Sequence, residues 1–474
     1  MSRTGIGLDF GTTNSAAAVF DGEIVRLVGL EELSPIMPSA TYIDRDLQTC
    51  TGLEAVERYV ADNTGRQVEL VPEVIGEAAL ALTGDPGGRA APQLLVQKVY
   101  GAPALDSGLR GRLFHGTKRL LGNADIRRLS VFDHPFRLVA LITPILLRIV
   151  RAVGAGGDEA TAACVGHPVN FEGRGAHRNA LALARLGEAC RYAGIGRCRM
   201  VPEPIAAALG FLHERPDAGD RVLTVDFGGG TLDFSILGRV DAGTGFRVVS
   251  THGIALGGDH IDRCIFRELL FPLLGQGERW RRRGAAREIE TRFPFEDYEE
   301  FLLNWPVTYL LNQNRYTTPV QSCIESGGPA RHKFRRLREL IQQNLGYLVF
   351  QAIKGFKAEL SAAPEAVLDI PEIDVEVRMT RPEFERLIAE PLREVERAVD
   401  TTLETAGMGA GEFDVVLRTG GSSLIPAVRR ILDERFPGRV VEHDPFTSVA
   451  AGLAIADYYD LPELSEDSAH GIFG

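Results

Sequence analysis

The sequence predicts an α/β protein of two lobes, each carrying an inserted subdomain, closed around a ligand cleft. Three observations predict it. The opening stretch IGLDFGTTNSAAAVF reads as strand, tight turn and strand, and Asp21-Gly22 followed by EIVRLVG adds a hairpin and a third strand. From Arg221, RVLTVDFGGGTLDFSILGRVDAGTGFRVVS repeats the order of elements and the chemistry of the first turn. Segments with helical spacing fill the intervals. A single repeat spaced so far along the chain is a duplicated lobe and not a solenoid.

The elements follow in order. Residues 1–217 form lobe I and 218–460 form lobe II. Segments of about 40–135 and about 259–380 are longer than simple connections and rich in charge, Gly and Pro, so each is read as a subdomain inserted into its lobe. NALALARLGEACRYAG (Asn179 to Gly194) has helical periodicity and a glycine stop. Pro204 and Pro426 stand where a first helical turn begins. The longest apolar run, LVALITPILL (Leu138 to Leu147), is too short to span a bilayer and is interrupted by Pro144. Residues 461–474 read as a frayed tail.

Composition bounds the class. The 474 residues are 45% hydrophobic and 24% charged, the balance of a globular protein. A net charge of -12 speaks to solubility and against wholesale nucleic-acid binding. The N-terminus enters strand-like sequence at once, without the pattern of a secretory leader. Cys50, Cys164, Cys190, Cys198, Cys264 and Cys323 form no C-x-x-C pair, which suits buried thiols in a reducing cytoplasm better than a disulfide framework or a metal site.

The turns carry the chemistry. In DFGTTNS, Asp9 ends a strand, Gly11 lets backbone approach a ligand, and Thr12, Thr13 and Asn14 follow with hydroxyls and turn amides. Alone, this is equally a plain hairpin. The second turn supplies its counterpart: Asp226, Gly228, Gly229, Gly230, Thr231 and Asp233. Two acidic glycine loops, one per lobe, imply a nucleotide held between the lobes with Mg²⁺ between the acids. In VVLRTGGSSLIPAVRRIL, Gly420, Gly421 and Ser422 would let a nucleoside approach backbone near a helix start. In NLGYLVFQAIKGFKAELS, Lys354, Lys357 and Ser361 share one helical face, which is also what a solvated polar face looks like.

These motifs together resemble the actin, sugar-kinase and heat-shock ATPase superfamily, and within it the nucleotide-binding domain of DnaK-type heat-shock chaperones. IGLDFGTTNS is similar to their first phosphate motif, VDFGGGTLDFSIL to their second and TGGSSLIP to their adenosine motif. VPEPIAAALGF and DPFTSVAAGLAIA resemble the two helices that link the lobes, and ALGGDHID, with Gly257 and Gly258, the turn after the second lobe's strands. TKRLLG (Thr117 to Gly122) is similar to a lysine-bearing segment that actins and sugar kinases lack in this form.

The resemblance implies two RNase H-like lobes of the actin-like ATPase fold. It assigns Lys118 to the terminal phosphate, where an ammonium offsets developing charge. Glu203 and Asp226 would hold Mg²⁺ through water, with Asp9 and Asp233 completing an acidic ring. Thr12, Thr13 and Thr231 would donate to phosphate oxygens, Lys357 and Ser361 would reach ribose and base, and Pro168 would relay nucleotide state.

The sequence also departs from the family. Ala358 and Leu424 stand where the family places two arginines around adenine, and Phe446 replaces an aspartate near the base. Weaker or less base-specific binding of ATP or ADP is the expectation. No leucine-rich linker or β-rich peptide-binding domain follows in the sequence, as in the shortened, YegD-type relatives. Both inserted subdomains are enlarged, and the second holds a basic cluster at 279–292, either a solvated helix surface or a docking face for an acidic partner.

The functional expectation is a cytoplasmic, slowly hydrolysing, Mg²⁺-dependent ATPase. It would be chaperone-like, with client proteins or co-chaperones as partners, no membrane and no nucleic acid. A sugar-type kinase, an actin-like filament protein and a binding module without turnover are the rivals. The aspartate after the threonine in GGGTLD favours the chaperone reading over the kinase one.

Overall fold

The computed structural model describes residues 3–82, 93–154, 161–171, 176–240, 245–283, 288–444, 447–461 and 469–471. Two mixed sheets organise it. In the first, the strand order is Ile195–Pro202, Thr161–His167, Gly5–Phe10, Asn14–Phe20, Val25–Leu27, and Met37–Pro38 adds to the Asn14–Phe20 strand. In the second, it is Val440–Glu442, Val415–Thr419, Arg221–Phe227, Leu232–Val240, Gly245–Ile254 and Ala469–Gly471.

The two sheets are built alike. Each begins with a strand that pairs antiparallel with its hairpin partner and parallel with a strand from far along the chain. Gly5–Phe10 runs antiparallel to Asn14–Phe20 and parallel to Thr161–His167. Arg221–Phe227 runs antiparallel to Leu232–Val240 and parallel to Val415–Thr419. The duplicated α/β architecture expected from the sequence is present. Parallel neighbours are buried on both faces, which is why these strands read as near-continuous apolar runs.

Helices Glu203–Glu214 and Ser448–Tyr458 pack against each other and against both sheets. Ile205, Leu209 and Leu453 are at most 1% exposed, and burial of each such side chain stabilises by about 1.5–3 kcal/mol. The crossing is close because Gly452 has no side chain: a Cβ there would run into the Ala206 carbonyl oxygen. Pro204 sits in the first turn of its helix, where its missing N–H is not needed.

The inserted segment of the first lobe holds a three-stranded sheet, ordered Thr49–Thr51, Ala40–Asp44, Gly111–His115, with helix Leu53–Asn63 and a long hairpin, Leu70–Leu82 with Gln93–Asp106. That of the second is mainly helical: Asn314–Ser326, Arg331–Gln342 and Gly346–Ala362 surround a core in which Phe271 packs edge-on against Phe295 at 5.0 Å.

Three expectations are corrected. Pro144 does not interrupt its segment: one helix runs from Leu138 to Ala152 through it, held by the burial of Leu141, Ile142, Ile145, Leu146 and Ile149. The tail does not fray throughout, since Ala469–Gly471 pairs antiparallel with Gly245–Arg247. The basic cluster is not a helical surface. Arg279–Arg283 and Glu288–Arg292 form a hairpin whose register sets Arg281 opposite Glu290 and Arg283 opposite Glu288. Among the described residues, no helix is long and apolar enough to cross a membrane.

Candidate functional site

The two hairpin turns meet across a cleft of about 340 Å³. Asp9, Gly11, Thr12, Thr13 and Asn14 line one side, and Asp226, Gly228, Gly229, Gly230 and Thr231 the other. The turns are within touching range, because a Cβ on Gly230 would stand 3.2 Å from the Thr12 hydroxyl. The shape of the second turn is fixed internally by a bond from Gly228 N to the Thr231 carbonyl (3.0 Å). The turn that follows Ile254 then docks on it, with Gly258 N donating to the Gly228 carbonyl (3.0 Å) and Asp259 N to the Gly229 carbonyl (2.9 Å).

Glu203 also lines the cleft, at the start of its helix. Its carboxylate forms an ion pair with the Lys118 ammonium, which is buried at 3% exposure and lies 5.9 Å from the centre of the Phe10 ring. Lys118 itself does not line the cleft. It stands behind Glu203, in the short turn Thr117–Leu120.

The acids repel one another in a dry setting. Burial, then Glu203, pushes the Asp9 carboxyl up to about 8, with Lys118 opposing the shift. Burial and the same glutamate hold Asp226 well above the ordinary carboxylate range. Asp233 is pushed up to about 7, chiefly by burial, against hydrogen bonds from Thr231 and Val169. Asp233 does not line the cleft: it accepts from Val169 N at 3.2 Å, tying the loop after Thr161–His167 to the second sheet. Pro168, next to Val169, is buried in that loop. Among the described residues, no three His, Cys, Asp or Glu side chains close around one point as direct metal ligands.

The far end of the cleft, where the sequence leads one to expect a nucleoside, is formed by Gly420, Gly421, Ser422, Leu424, Lys354, Lys357, Ala358 and Ser361. Gly420 has a φ of 80°, which a side chain resists, and it lies against the Phe227 carbonyl. Ser422 donates to the Gly228 carbonyl at 3.1 Å. Lys357 donates to Asp262 at 2.5 Å and to the Gly258 carbonyl at 3.2 Å, and the Ser361 hydroxyl donates to the Lys357 carbonyl at 2.9 Å. Gly257 lies outside the lining, packed on the Gly229 and Gly230 backbone. Phe446 lies outside the described residues.

Three residues of the site were not singled out from sequence. Asp259 accepts from the Thr13 hydroxyl at 3.2 Å and from Arg119 at 2.9 Å, so it joins the two lobes across the cleft. Asp262 lines the cleft with one carboxylate oxygen bonded to Lys357 and the other buried without a partner. The available signals were an acid in a first helical turn after Gly-Gly, and an arginine next to Lys118.

Comparison with known proteins now adds to this geometry. The family model described as "Hsp70 protein" matches residues 140–272 and 345–457, just over half of the chain. The chain belongs to the Hsp70 family. Relatives of this Hsp70-family protein include the heat shock 70 kDa protein BIP3 of rice (Oryza sativa subsp. japonica), 26% identical over 95% of this chain and 56% of the relative. The chaperone protein DnaK of Deinococcus deserti is 24% identical over 95% of this chain and 58% of its own length. DnaK of Prochlorococcus marinus is 23% identical over 94% and 58%. The chain thus spans under two-thirds of the length of each relative.

Proposed function

We propose that this Hsp70-family protein binds ATP and ADP between its lobes and hydrolyses ATP slowly with Mg²⁺. One observation carries the reading: two D-x-G turns from duplicated hairpins face each other across one cleft, with a third carboxylate, Glu203, beside them. Asp9, Asp226 and Asp233, raised chiefly by burial and further by neighbouring carboxylates, suit a cation, which would stabilise their ionised forms.

Asp9, Asp226 and Glu203 would hold Mg²⁺ through its water shell, with Asp233 supporting from behind. The ion, when bound, neutralises phosphate charge. Thr12, Thr13 and Thr231, with the glycine amides, would position the phosphates. The Lys118 ammonium would offset charge developing at the terminal phosphate, and Glu203 would orient the attacking water. Lys354, Lys357 and Ser361 would flank the nucleoside, and the unpartnered oxygen of Asp262 would accept from a ribose hydroxyl. Lobe closure would be the output, passed on to client proteins or co-chaperones.

Partner and compartment follow the same reading. The hairpin at 279–292 would offer an acidic partner a weakened face, since its register sets Arg281 opposite Glu290 and Arg283 opposite Glu288. The six cysteines are all free thiols, which suits a cytoplasmic setting. The test is phosphate release from ATP, with and without Mg²⁺ and with and without added sugars. Mg²⁺-dependent release without a sugar supports the ATPase. ADP formed only with a sugar, with the phosphoryl group on the sugar and no free phosphate, would replace it by the kinase reading, and nucleotide binding without ADP formation by the inert module.

A further inference from the structure

A second chamber of about 310 Å³ lies beside the cleft, between the two inserted subdomains. Thr12, Thr13, Asn14, Asp259 and Lys354 belong to the walls of both spaces, so the chamber opens beside the first hairpin turn and shares Lys354 with the far end of the cleft. The nucleotide reading uses only the first space. The second has a distinct chemistry.

Its charge is one-sided. Arg119, Arg263 and Lys354 face it against a single carboxylate, Asp259, which Arg119 already engages. Among the described residues, neither Arg263 nor Lys354 makes a hydrogen bond or ion pair, so two cations remain for a ligand. His115 adds none near neutral pH, because burial pushes its imidazole down to about 4. Arg263 is exposed and Lys354 partly buried, so the recess is open to solvent and both cations can meet an anion that enters it.

Its other wall is aromatic and held in place. Trp305 packs against Tyr347 at 4.9 Å, Tyr59 at 5.8 Å and His115 at 5.4 Å. The Tyr59 hydroxyl donates to the Pro306 carbonyl at 2.8 Å, which fixes one inserted subdomain against the other at this point. An apolar, aromatic surface facing a few convergent polar groups is how small-molecule sites are commonly built, and the volume fits a ligand of about one ring and one anionic group.

We propose that this chamber is an anion-binding site of its own, taking a small aromatic phosphate whose ring lies against Trp305 and whose oxygens meet Arg263 and Lys354. Arg263 and the aromatic wall belong to the chamber alone and Lys354 is shared with the cleft, so the site is tested apart from the nucleotide reading through Arg263 and Trp305.

Trp280 and Trp305 are the only two tryptophans of the sequence, so Trp280→Phe makes Trp305 the sole reporter. Phenyl phosphate is titrated against its fluorescence, with and without saturating Mg²⁺-ADP. The expected result is a saturable change that persists with ADP. Arg263→Glu, a change at an exposed residue, should weaken it by about tenfold or more, as loss of a charge-assisted contact does. Inorganic phosphate and benzyl alcohol should each bind more weakly than phenyl phosphate, since each has half of the recognition. No saturable change, insensitivity to Arg263→Glu, full displacement by ADP, or equal binding of either half-ligand would each overturn the proposal. ADP binding is followed separately by calorimetry, so failure of the nucleotide reading leaves a different record.

Discussion

Lys118 and Glu203 form a buried ion pair at the edge of the cleft, with the glutamate exposed to the ligand space and the lysine behind it. The pair links a short turn of the first inserted segment to the start of an interlobe helix. Breaking such a pair by removing one partner costs about 3–5 kcal/mol, because the other charge stays buried alone. Lys118→Ala is therefore expected to lower stability as well as turnover. The double variant Lys118→Met with Glu203→Gln should recover most of the stability and none of the hydrolysis. In single-turnover assays with labelled ATP, Lys118→Ala should still bind nucleotide while phosphate production falls about a hundredfold. An unchanged rate would refute the assignment.

The acid cluster makes stability depend on pH in a stated direction. Asp9 is raised from 3.8 to about 8 and Asp233 to about 7, and Asp226 is raised as well. Across that window the folded protein keeps protons that the unfolded chain has released. Stability from these groups is present at low pH and is lost as pH rises through the folded values. In EDTA, the urea midpoint should fall between about pH 5 and pH 8 from this source. Asp9→Asn should flatten the slope, and so should Mg²⁺-ADP, since a cation favours the ionised carboxylates. A midpoint that rises over this range and is indifferent to Asp9→Asn would exclude the account.

Asp259 holds Thr13 and Arg119 of the other lobe at 3.2 and 2.9 Å. Thr13 belongs to the first hairpin turn and Arg119 follows Lys118, so the carboxylate acts as a clasp across the cleft mouth. Asp259→Ala and Arg119→Ala are each expected to speed ADP release by about tenfold, read by stopped-flow with a fluorescent ADP analogue. Combining them should add little, because they act through one contact. Additive effects in the double variant would show that the residues act separately.

What the sequence made legible was local. The two hairpins announce themselves because period-two alternation and the D-x-G turn sit within a few residues of each other, and their duplication makes each credible. The clasp escaped because Arg119 and Asp259 lie 140 residues apart, and nothing in either segment names the other. The basic cluster was misjudged for a related reason: ERWRRR gives no helix or strand period, and the glutamates that offset it arrive only through pairing with Glu288–Arg292. Pro144 misled because its breaking effect is a local rule, while the burial that carries the helix through it is a tertiary fact. Asp233 follows its loop as a ligand would and pairs directly opposite Asp226, yet its carboxylate is taken up by the Val169 amide.

Base recognition is the last point on which residues decide. The side chains at the nucleoside end include Ala358, Leu424 and Ile425, and no arginine is among the described residues that line the cleft. A purine there would meet aliphatic surface with no guanidinium over the ring, and the polar groups nearby, Lys357 and Ser361, are already bonded to Asp262 and to the Lys357 carbonyl. ATP, GTP and inorganic triphosphate should therefore bind within about tenfold of one another, measured by calorimetry with Mg²⁺. Introducing Ala358→Arg with Leu424→Arg should tighten ATP more than triphosphate, because stacking of a guanidinium on a ring contributes about 0.5–2 kcal/mol and triphosphate has no ring. Micromolar ATP binding with rejection of GTP in the unaltered protein would show that a polar reader of the base exists, and would move attention to residues 445–446.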